Sequence, residues 1–180
     1  MVSHQVAQIV GSGKTAAFAL PILHALSKDP YGPYAVVLTP TRELAFQIHE
    51  QFIAFGSAIG LKSVVVVGGV DMLRQSIALD AKPHVIIATP GRLRDHLTKA
   101  TPPDLSQVAF VVLDEADRLL TDTFAKDLNA ILSTCTAQNR QTLLFSATMN
   151  ACVANFDKLL TNPLRFDATP TVRLLLPCNL

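Results

Sequence analysis

The sequence has little of what several classes of protein require. Its three cysteines (Cys135, Cys152 and Cys178) are widely spaced with no Cys-x-x-Cys pair, which argues against a zinc or disulfide framework and is typical of a reducing compartment. Its five histidines include no His-Glu-x-x-His pair. The apolar runs Val64–Val67 and Leu174–Leu176 are far too short to cross a bilayer, and the first residues lack the features of a signal peptide. We therefore expect a protein that is neither secreted nor in a membrane.

The chain also lacks an excess of charge of either sign. Its 180 residues are 49% hydrophobic and 16% charged, with a net charge of +1 at pH 7. This composition indicates one globular domain with a buried core. A protein held to nucleic acid by bulk positive charge is excluded, so any nucleic-acid contact must come from a few locally placed groups.

Short apolar runs alternate with amphipathic stretches along the chain. Strands are predicted over Val6–Val10, Ala35–Leu38, Ser63–Val67, Val85–Ala88, Phe110–Leu113, Thr142–Phe145 and Leu164–Phe166. Helices are predicted over Ala16–Ser27, Pro40–Phe55, Asp71–Asp80, Pro90–Leu97, from about Arg118 to Leu132, and over Asn150–Leu160. This alternation predicts an α/β fold with a doubly wound, mostly parallel sheet and right-handed crossovers.

A glycine-rich stretch between the first predicted strand and helix has the character of a phosphate-binding loop. It reads Gly11-Ser12-Gly13-Lys14-Thr15. Glycines let backbone N–H groups face an anion, Lys14 can reach the β- and γ-phosphates of ATP, and the Thr15 hydroxyl can bind Mg²⁺. The motif's first glycine would fall on Gln8, and a flexible turn is the alternative.

The unalternating apolar strand Phe110–Leu113 runs directly into the acidic residues Asp114, Glu115 and Asp117. Ligands of parallel sheets bind beyond the carboxyl ends of the strands, so these acids are placed to handle a metal or a phosphate. Because strand side chains alternate, we expect Asp114 and Glu115 to point apart, one towards Mg²⁺ and one towards the attacking water. The alternative is that the acids only stabilise the positive N-terminus of a helix.

Two further segments share the pattern Thr-Pro-x-Arg between a strand and a helix. In each, the first Thr is the predicted N-cap, Pro the first helical residue and Arg the third, beside free backbone N–H groups. Two such anion sites on one sheet edge indicate contact with two phosphates of a nucleic-acid backbone, although two ordinary capped helices are the alternative. The segments are Thr39-Pro40-Thr41-Arg42 and Thr89-Pro90-Gly91-Arg92.

Together with Gly68-Gly69 and Ser146-Ala147-Thr148, these motifs resemble, in order and spacing, the first-domain motifs of the DEAD-box RNA helicases over roughly residues 11–167. The resemblance implies a RecA-like P-loop NTPase domain of three α/β/α layers that uses ATP and Mg²⁺. The residues that it implies for catalysis are Lys14, Asp114 and Glu115, and those for the phosphates and metal are Gly11, Ser12, Gly13, Lys14, Thr15 and Asp114. Those that it implies for the RNA backbone, without sequence specificity, are Pro40, Thr41, Arg42, Gly69, Thr89, Gly91 and Arg92, and those for coupling ATP to RNA are Asp117, Ser146 and Thr148.

The resemblance also sets expectations for the whole chain. Residues 1–168 are expected to be the helicase ATP-binding domain without its upstream glutamine motif, and residues 169–180 a tail without a domain, with no second RecA-like domain. Slow ATP hydrolysis is expected, because the family's second domain supplies an arginine to the transition state. Pro83–Leu93 is most similar to the nucleolar, ribosome-assembly members, which implies a nuclear monomer, or otherwise a cytoplasmic one, with ribosome-assembly partners.

Two other functions are compatible with these residues. The chain could be a non-catalytic module that binds RNA or a helicase partner, in which case replacing Glu115 would leave its effects intact. It could also be a P-loop ATPase unrelated to nucleic acid, although the paired Thr-Pro-x-Arg segments argue against this.

Overall fold

A parallel sheet forms the centre of the structure, a computed structural model that describes residues 4–8, 13–148, 153 and 163–167. Its strands are β1 (His4–Gln8), β2 (Ala35–Leu38), β3 (Ser63–Val66), β4 (Val85–Ala88), β5 (Phe110–Asp114), β6 (Gln141–Ser146) and β7 (Pro163–Asp167). They lie in the order β3-β4-β2-β5-β6-β1-β7, and every pairing is parallel. The acid-bearing strand β5 therefore lies in the middle, with three strands on either side.

Helices cover both faces of this sheet. They are α1 (Lys14–Leu26), α2 (Arg42–Gly56), α3 (Met72–Asp80), α4 (Pro90–Leu97), α5 (Ala116–Leu119) and α6 (Asp122–Thr134), with a 3-10 turn at Ser57–Ile59. Buried side chains of α1 and α2 pack on one face, and those of α3 to α6 pack on the other. The predicted doubly wound, three-layer α/β/α architecture is confirmed. Within the described ranges, no helix is long and apolar enough to cross a membrane.

The central strands are apolar without alternation because both of their faces are covered. All four residues of β2 are fully buried. Val36 and Leu38 belong to the core beneath α3 to α6, whereas Ala35 and Val37 belong to the core beneath α1 and α2. Such two-sided burial is the reason that parallel strands read as continuous hydrophobic runs.

The observed elements differ from the predicted ones mainly at their ends. β1 begins at His4 rather than Val6, and α1 begins at Lys14 rather than Ala16. The last predicted strand is confirmed as β7. The helix predicted over Asn150–Leu160 lies outside the described residues except at Val153.

Phe52 of α2 provides a test of the core beneath α1 and α2. It is fully buried, with its ring centroid 6.1 Å from that of Phe18. We expect Phe52→Ala to lower the free energy of unfolding by about 3–5 kcal/mol, because it removes a large buried side chain and leaves a cavity. Urea unfolding followed by circular dichroism measures this change. Phe46→Ala on the same helix is the control, because Phe46 is 43% exposed, and equal losses would contradict the assigned burial.

Candidate functional site

The carboxyl ends of the central strands gather the predicted site residues at one edge of the sheet. Thr39 directly follows β2, Thr89 directly follows β4, Asp114 ends β5 and Ser146 ends β6. Because these four strands are neighbours and parallel, their final residues lie side by side. This is the edge at which open α/β sheets bind ligands.

Asp114 is the buried carboxylate of this edge. It is only 6% exposed, and its Oδ1 atom has no hydrogen-bond partner. Burial raises the pKa of Asp114, and the nearby Lys14 ammonium and the Glu115 backbone N–H partly offset this by favouring the charged form. A buried carboxylate oxygen without a partner costs free energy. Asp114 therefore has the properties expected of a group that binds a cation.

The donor set at this edge fits Mg²⁺ bound together with a nucleotide. Mg²⁺ in such sites is usually held by one or two carboxylates and by phosphate oxygens and water. No cluster of three or more His, Cys, Asp or Glu suited to a metal occurs among the described residues. Asp114 as a single buried carboxylate is compatible with this arrangement, and the roles of Asp114 and Thr15 in binding Mg²⁺ stay predictions.

Glu115 is separated from Asp114 by the backbone rather than by strand alternation. β5 ends at Asp114, and Glu115 is the N-cap of α5 in the left-handed conformation, with φ 53° and ψ 50°. The premise that both acids lie on the strand is therefore wrong. The Glu115 carboxylate forms an ion pair with Arg118 at 2.8 Å on the first turn of the following helix. A non-glycine residue with positive φ is uncommon and often marks a functional site.

The described part of the phosphate-binding loop leads directly into α1. Gly13 has φ 130° and is the N-cap, and Lys14 and Thr15 are the first two helical residues. The backbone N–H groups of a first helical turn have no intrahelical partners and favour anions. Gly11 and Ser12 lie outside the described residues.

Asp117 is joined to the end of β6, as the sequence predicts. The Thr148 hydroxyl donates to the Asp117 carboxylate at 2.7 Å. The Ser146 hydroxyl donates to the Thr148 carbonyl at 2.6 Å and accepts from the Thr148 N–H at 3.2 Å. Side-chain hydrogen bonds thus connect α5, which follows β5, to the end of the neighbouring strand β6, and these two bonds of Ser146 go to Thr148.

The second Thr-Pro-x-Arg segment starts its helix as predicted. Thr89 is the N-cap of α4, Pro90 is its first residue and Arg92 is its third. Gly91 lies close to α6, because an added Cβ would be 3.3 Å from the Asp127 carboxylate. The start of α4 therefore has the predicted cap and first-turn residues, and its role in binding an anion stays a prediction.

The first Thr-Pro-x-Arg segment does not start its helix in this way. The prediction of Thr39 as the N-cap is wrong, because α2 begins only at Arg42. Thr41 is the N-cap, and its Oγ1 accepts from the Leu44 N–H at 3.4 Å. The first segment has Thr41 where the second has Gly91, so only the first offers a side-chain oxygen at that position, and the Thr89 side chain makes no capping bond in the second.

Arg42 and Gly69, which the resemblance assigns separately to RNA, lie against each other. A Cβ added to Gly69 would be 2.3 Å from Nη1 of Arg42, and Gly69 has φ 75°. Glycine is therefore favoured here by its backbone conformation, and the absence of a side chain leaves room for the Arg42 guanidinium. Arg42 itself is exposed at the start of α2.

Arg92 binds the backbone of the same loop. Its Nε donates to the Val67 carbonyl and its Nη2 to the Val70 carbonyl, each at 3.1 Å. These two carbonyls lie on either side of Gly68 and Gly69, so Arg92 binds the loop at both of its ends. The contact of Arg92 with RNA stays a prediction. In this structure, two N–H donors of its guanidinium stabilise the loop.

Thr39 is a residue of this edge whose possible role the sequence reasoning missed. It is fully buried, and its hydroxyl has no hydrogen-bond partner. The pairing of Leu38 with Leu113 places Thr39 beside Asp114, one position further along adjacent strands. Its only sequence signal was a polar residue directly after an apolar strand, which we interpreted as a helix cap. Two buried side-chain oxygens without partners therefore occur at adjacent strand ends.

Comparison with known proteins identifies the family. The profile of the DEAD/DEAH box helicase family matches residues 4–156. This chain belongs to the DEAD/DEAH box helicases. It is 54% identical over 168 residues to "Probable ATP-dependent RNA helicase DDX49" of Mus musculus and 55% identical over 147 residues to ATP-dependent RNA helicase dbp8 of Schizosaccharomyces pombe. These matches cover 91% and 79% of this chain but 35% and 32% of the relatives, so the chain spans about a third of their length.

Solved structures of DEAD-box proteins have the same fold. A hypothetical ATP-dependent RNA helicase from Sulfolobus tokodaii is 34% identical with a TM-score of 0.80, over 92% of this chain and 48% of that one. The RNA helicase Prp28 from Chaetomium thermophilum bound to ADP is 38% identical with a TM-score of 0.76, over 91% of this chain and 40% of that one. The predicted RecA-like fold is thereby confirmed.

Asp114→Asn is expected to stabilise this DEAD-box chain near neutral pH when nucleotide and metal are absent. Asn has a similar shape but carries no charge to desolvate. The pKa of Asp114 is raised in the folded protein above 3.8, the usual value of an unfolded chain. Between 3.8 and the pKa of the folded state, the folded state therefore binds more protons than the unfolded state. Stability of the wild type therefore falls as pH rises through that window and stays lower at pH 7.

Urea unfolding in a metal chelator measures this effect at pH 7 and below pH 3.8. The variant should be more stable at pH 7, and the difference should shrink at the acidic pH, where the wild-type carboxyl is protonated in both states. Equal stabilities at pH 7 would contradict a desolvated carboxylate.

Proposed function

We propose that this chain is the ATP-binding and RNA-backbone-contacting domain of an ATP-dependent RNA helicase, which couples ATP hydrolysis to unwinding or remodelling of RNA. The observation that carries the proposal is the buried Asp114, with an unpartnered Oδ1, at the sheet edge where Arg42 lies against Gly69. A candidate nucleotide–metal site and a candidate anion site thus occur on one edge. The relatives named ATP-dependent RNA helicases, and the related structure bound to ADP, support this function.

At the nucleotide end, the loop Gly11–Thr15 would bind the phosphates of ATP. Backbone N–H groups at the start of α1 and the Lys14 ammonium would hold the β- and γ-phosphates, and Asp114 and Thr15 would hold Mg²⁺. Mg²⁺, when bound, neutralises charge on the phosphate oxygens. Glu115, whose carboxylate forms an ion pair with Arg118 in this structure, would accept a proton from the attacking water.

At the RNA end, the same sheet edge would hold a sugar-phosphate backbone. Arg42 and Arg92 supply guanidinium groups, and the start of α4 supplies backbone N–H groups. The other residues assigned to this contact are Pro40, Thr41, Gly69, Thr89 and Gly91. Contacts to the backbone position RNA without reading its sequence, which agrees with a net charge of only +1.

The hydrogen bond between Asp117 and Thr148 would couple the two ends. Asp117 follows Asp114 by three residues and Glu115 by two, and Thr148 lies just beyond β6 with Ser146 bonded to it. A shift of the Asp114–Asp117 segment on nucleotide binding would therefore move Thr148, just beyond the end of β6.

Residues 1–168 are proposed as the ATP-binding domain and residues 169–180 as a tail. Because the curated relatives are about three times as long as this match, unwinding is proposed for the helicase of which such a domain is part. From the resemblance at Pro83–Leu93, we further propose that the protein is a monomer located in the nucleolus of the nucleus. Its protein partners would belong to a ribosome-assembly complex.

Glu115→Gln tests the catalytic proposal. We expect it to bind ATP with Mg²⁺ about as well as the wild type but to lose about 100-fold or more in the rate of hydrolysis, because a general base is removed. Single-turnover release of γ-phosphate with saturating RNA measures the rate. The wild-type rate is itself expected to be low. Glu50→Gln, at an exposed position of α2, is the matched control. Unchanged hydrolysis in Glu115→Gln would favour a non-catalytic module instead.

Arg42→Gln tests the RNA proposal. Loss of one phosphate contact should weaken binding of single-stranded RNA of any sequence. The slope of log K against the logarithm of the salt concentration should become less steep by roughly 0.7. Fluorescence anisotropy at several salt concentrations measures both. Arg74→Gln removes the same charge from an exposed position of α3 and should have little effect. If both variants bind RNA equally well, Arg42 makes no specific phosphate contact.

A further inference from the structure

A buried pair of side chains lies behind the loop that contains Gly68 and Gly69. Gln75 of α3 is 3% exposed, and His96 of α4 is 1% exposed. The Gln75 Nε2 donates to the Val67 carbonyl at 2.9 Å, and this is the carbonyl that also accepts from Arg92. Both lone pairs of the Val67 oxygen are therefore used by side chains from two different helices.

The Gln75 amide and the His96 ring constrain each other. The Nε2 of His96 lies 3.1 Å from the Oε1 of Gln75. Because the amide nitrogen of Gln75 donates to Val67, its oxygen must accept, so the His96 proton is on Nε2. The Nδ1 of His96 is then an acceptor and lies 3.2 Å from the Lys99 ammonium. Every described polar contact of this pair is compatible with one tautomer.

The surroundings keep this histidine neutral. Burial lowers the pKa of His96, the positive charges of Lys99 and Arg92 lower it further, and Asp95 acts in the opposite direction. A protonated ring would carry a second donor on Nδ1, which lies 3.2 Å from the Lys99 ammonium and 3.4 Å from the Ser76 hydroxyl; the nearer of these two groups has no lone pair to accept it. The neutral ring is therefore the form that fits the order of donors and acceptors from Lys99 to Val67.

We propose that Gln75 and His96 are positioning residues that hold the Gly68–Gly69 loop, through the Val67 carbonyl, in the conformation that binds an RNA phosphate. The proposal rests on the proposed function, because the ligand of the loop is RNA. Neither side chain touches the ligand, and both act by fixing the carbonyl that anchors Arg92. The loop, in turn, is the surface against which the Arg42 guanidinium lies.

The geometry explains why two donors are needed at one carbonyl. Arg92 alone would hold the loop by a long and adaptable side chain whose other donor goes to Val70. Gln75 adds a second bond from a buried side chain of α3, and the His96 ring, bonded to the Gln75 oxygen, disfavours a flip of its amide. Gly69 has a positive φ, and a glycine can adopt many other backbone conformations as well. Contacts from outside the loop therefore help to hold the observed conformation.

Gln75→Leu is the direct test, with Leu79→Ala as its control. Leu79 is also buried on α3, at 3% exposure, and its truncation lowers stability without touching Val67. We expect Gln75→Leu to lower affinity for a single-stranded RNA about fivefold to tenfold, the equivalent of one lost hydrogen bond, with ATP affinity unchanged. Leu79→Ala should bind RNA like the wild type, although it is the less stable protein.

Two variants of His96 separate positioning from packing. His96→Phe cannot donate to Gln75 and should weaken RNA binding about fivefold, whereas the terminal amide of His96→Gln can replace the Nε2 donor and should restore affinity to within about twofold. The positioning role would be overturned if His96→Gln lost as much RNA affinity as His96→Phe. It would also be overturned if Leu79→Ala lost as much RNA affinity as Gln75→Leu.

The backbone order parameters of Gly68, Gly69 and Val70, measured by NMR relaxation without RNA, separate this inference from the proposed function. They should be lower in Gln75→Leu than in the wild type or in Leu79→Ala, and unchanged order parameters would overturn the inference. If the order parameters change as expected but the wild type binds no RNA, the proposed function fails and the RNA part of the inference fails with it, while the restraint on the loop stands.

Discussion

The carboxylate of Asp114 lies at the end of the central strand, almost fully buried, with one oxygen that accepts no hydrogen bond. Such a group is unfavourable in an isolated fold, and three strands on either side of β5 hold it there. The surrounding core supplies the free energy that keeps the carboxylate desolvated. A cation at this position would gain strongly from the interaction, since water competes little at a buried site.

The neighbouring loop shows the same dependence on buried support. Gly68 and Gly69 belong to no regular element, yet the carbonyls on either side of them are bound by Arg92, and one is bound again by Gln75. Because the candidate anion-binding groups are few and the net charge is only +1, their effect depends on accurate placement rather than on number. Side chains from α3 and α4 thus shape a surface that α2 completes with Arg42.

Element types were predictable because burial on both sides leaves a direct mark on the sequence. The strands β2 and β4, and β5 up to Leu113, are apolar without alternation, and this pattern is typical of parallel strands with helices on both faces. Helix starts were less predictable. Thr39 and Thr41 both have a side chain that can cap α2, and the choice depends on the path of the chain beyond β2, which a two-residue pattern does not contain.

The sequence by itself determined the parallel α/β fold, the family and the set of polar residues at the strand ends, because periodicity and motif spacing are local properties of the chain. Only the tertiary structure decided how those residues are used. Glu115 takes a left-handed conformation and pairs with Arg118, Arg92 is committed in part to a loop, and Thr39 is buried beside Asp114. These outcomes depend on contacts between segments far apart in the chain, and the same contacts reveal the support that Gln75 and His96 give to the loop, which no motif contains.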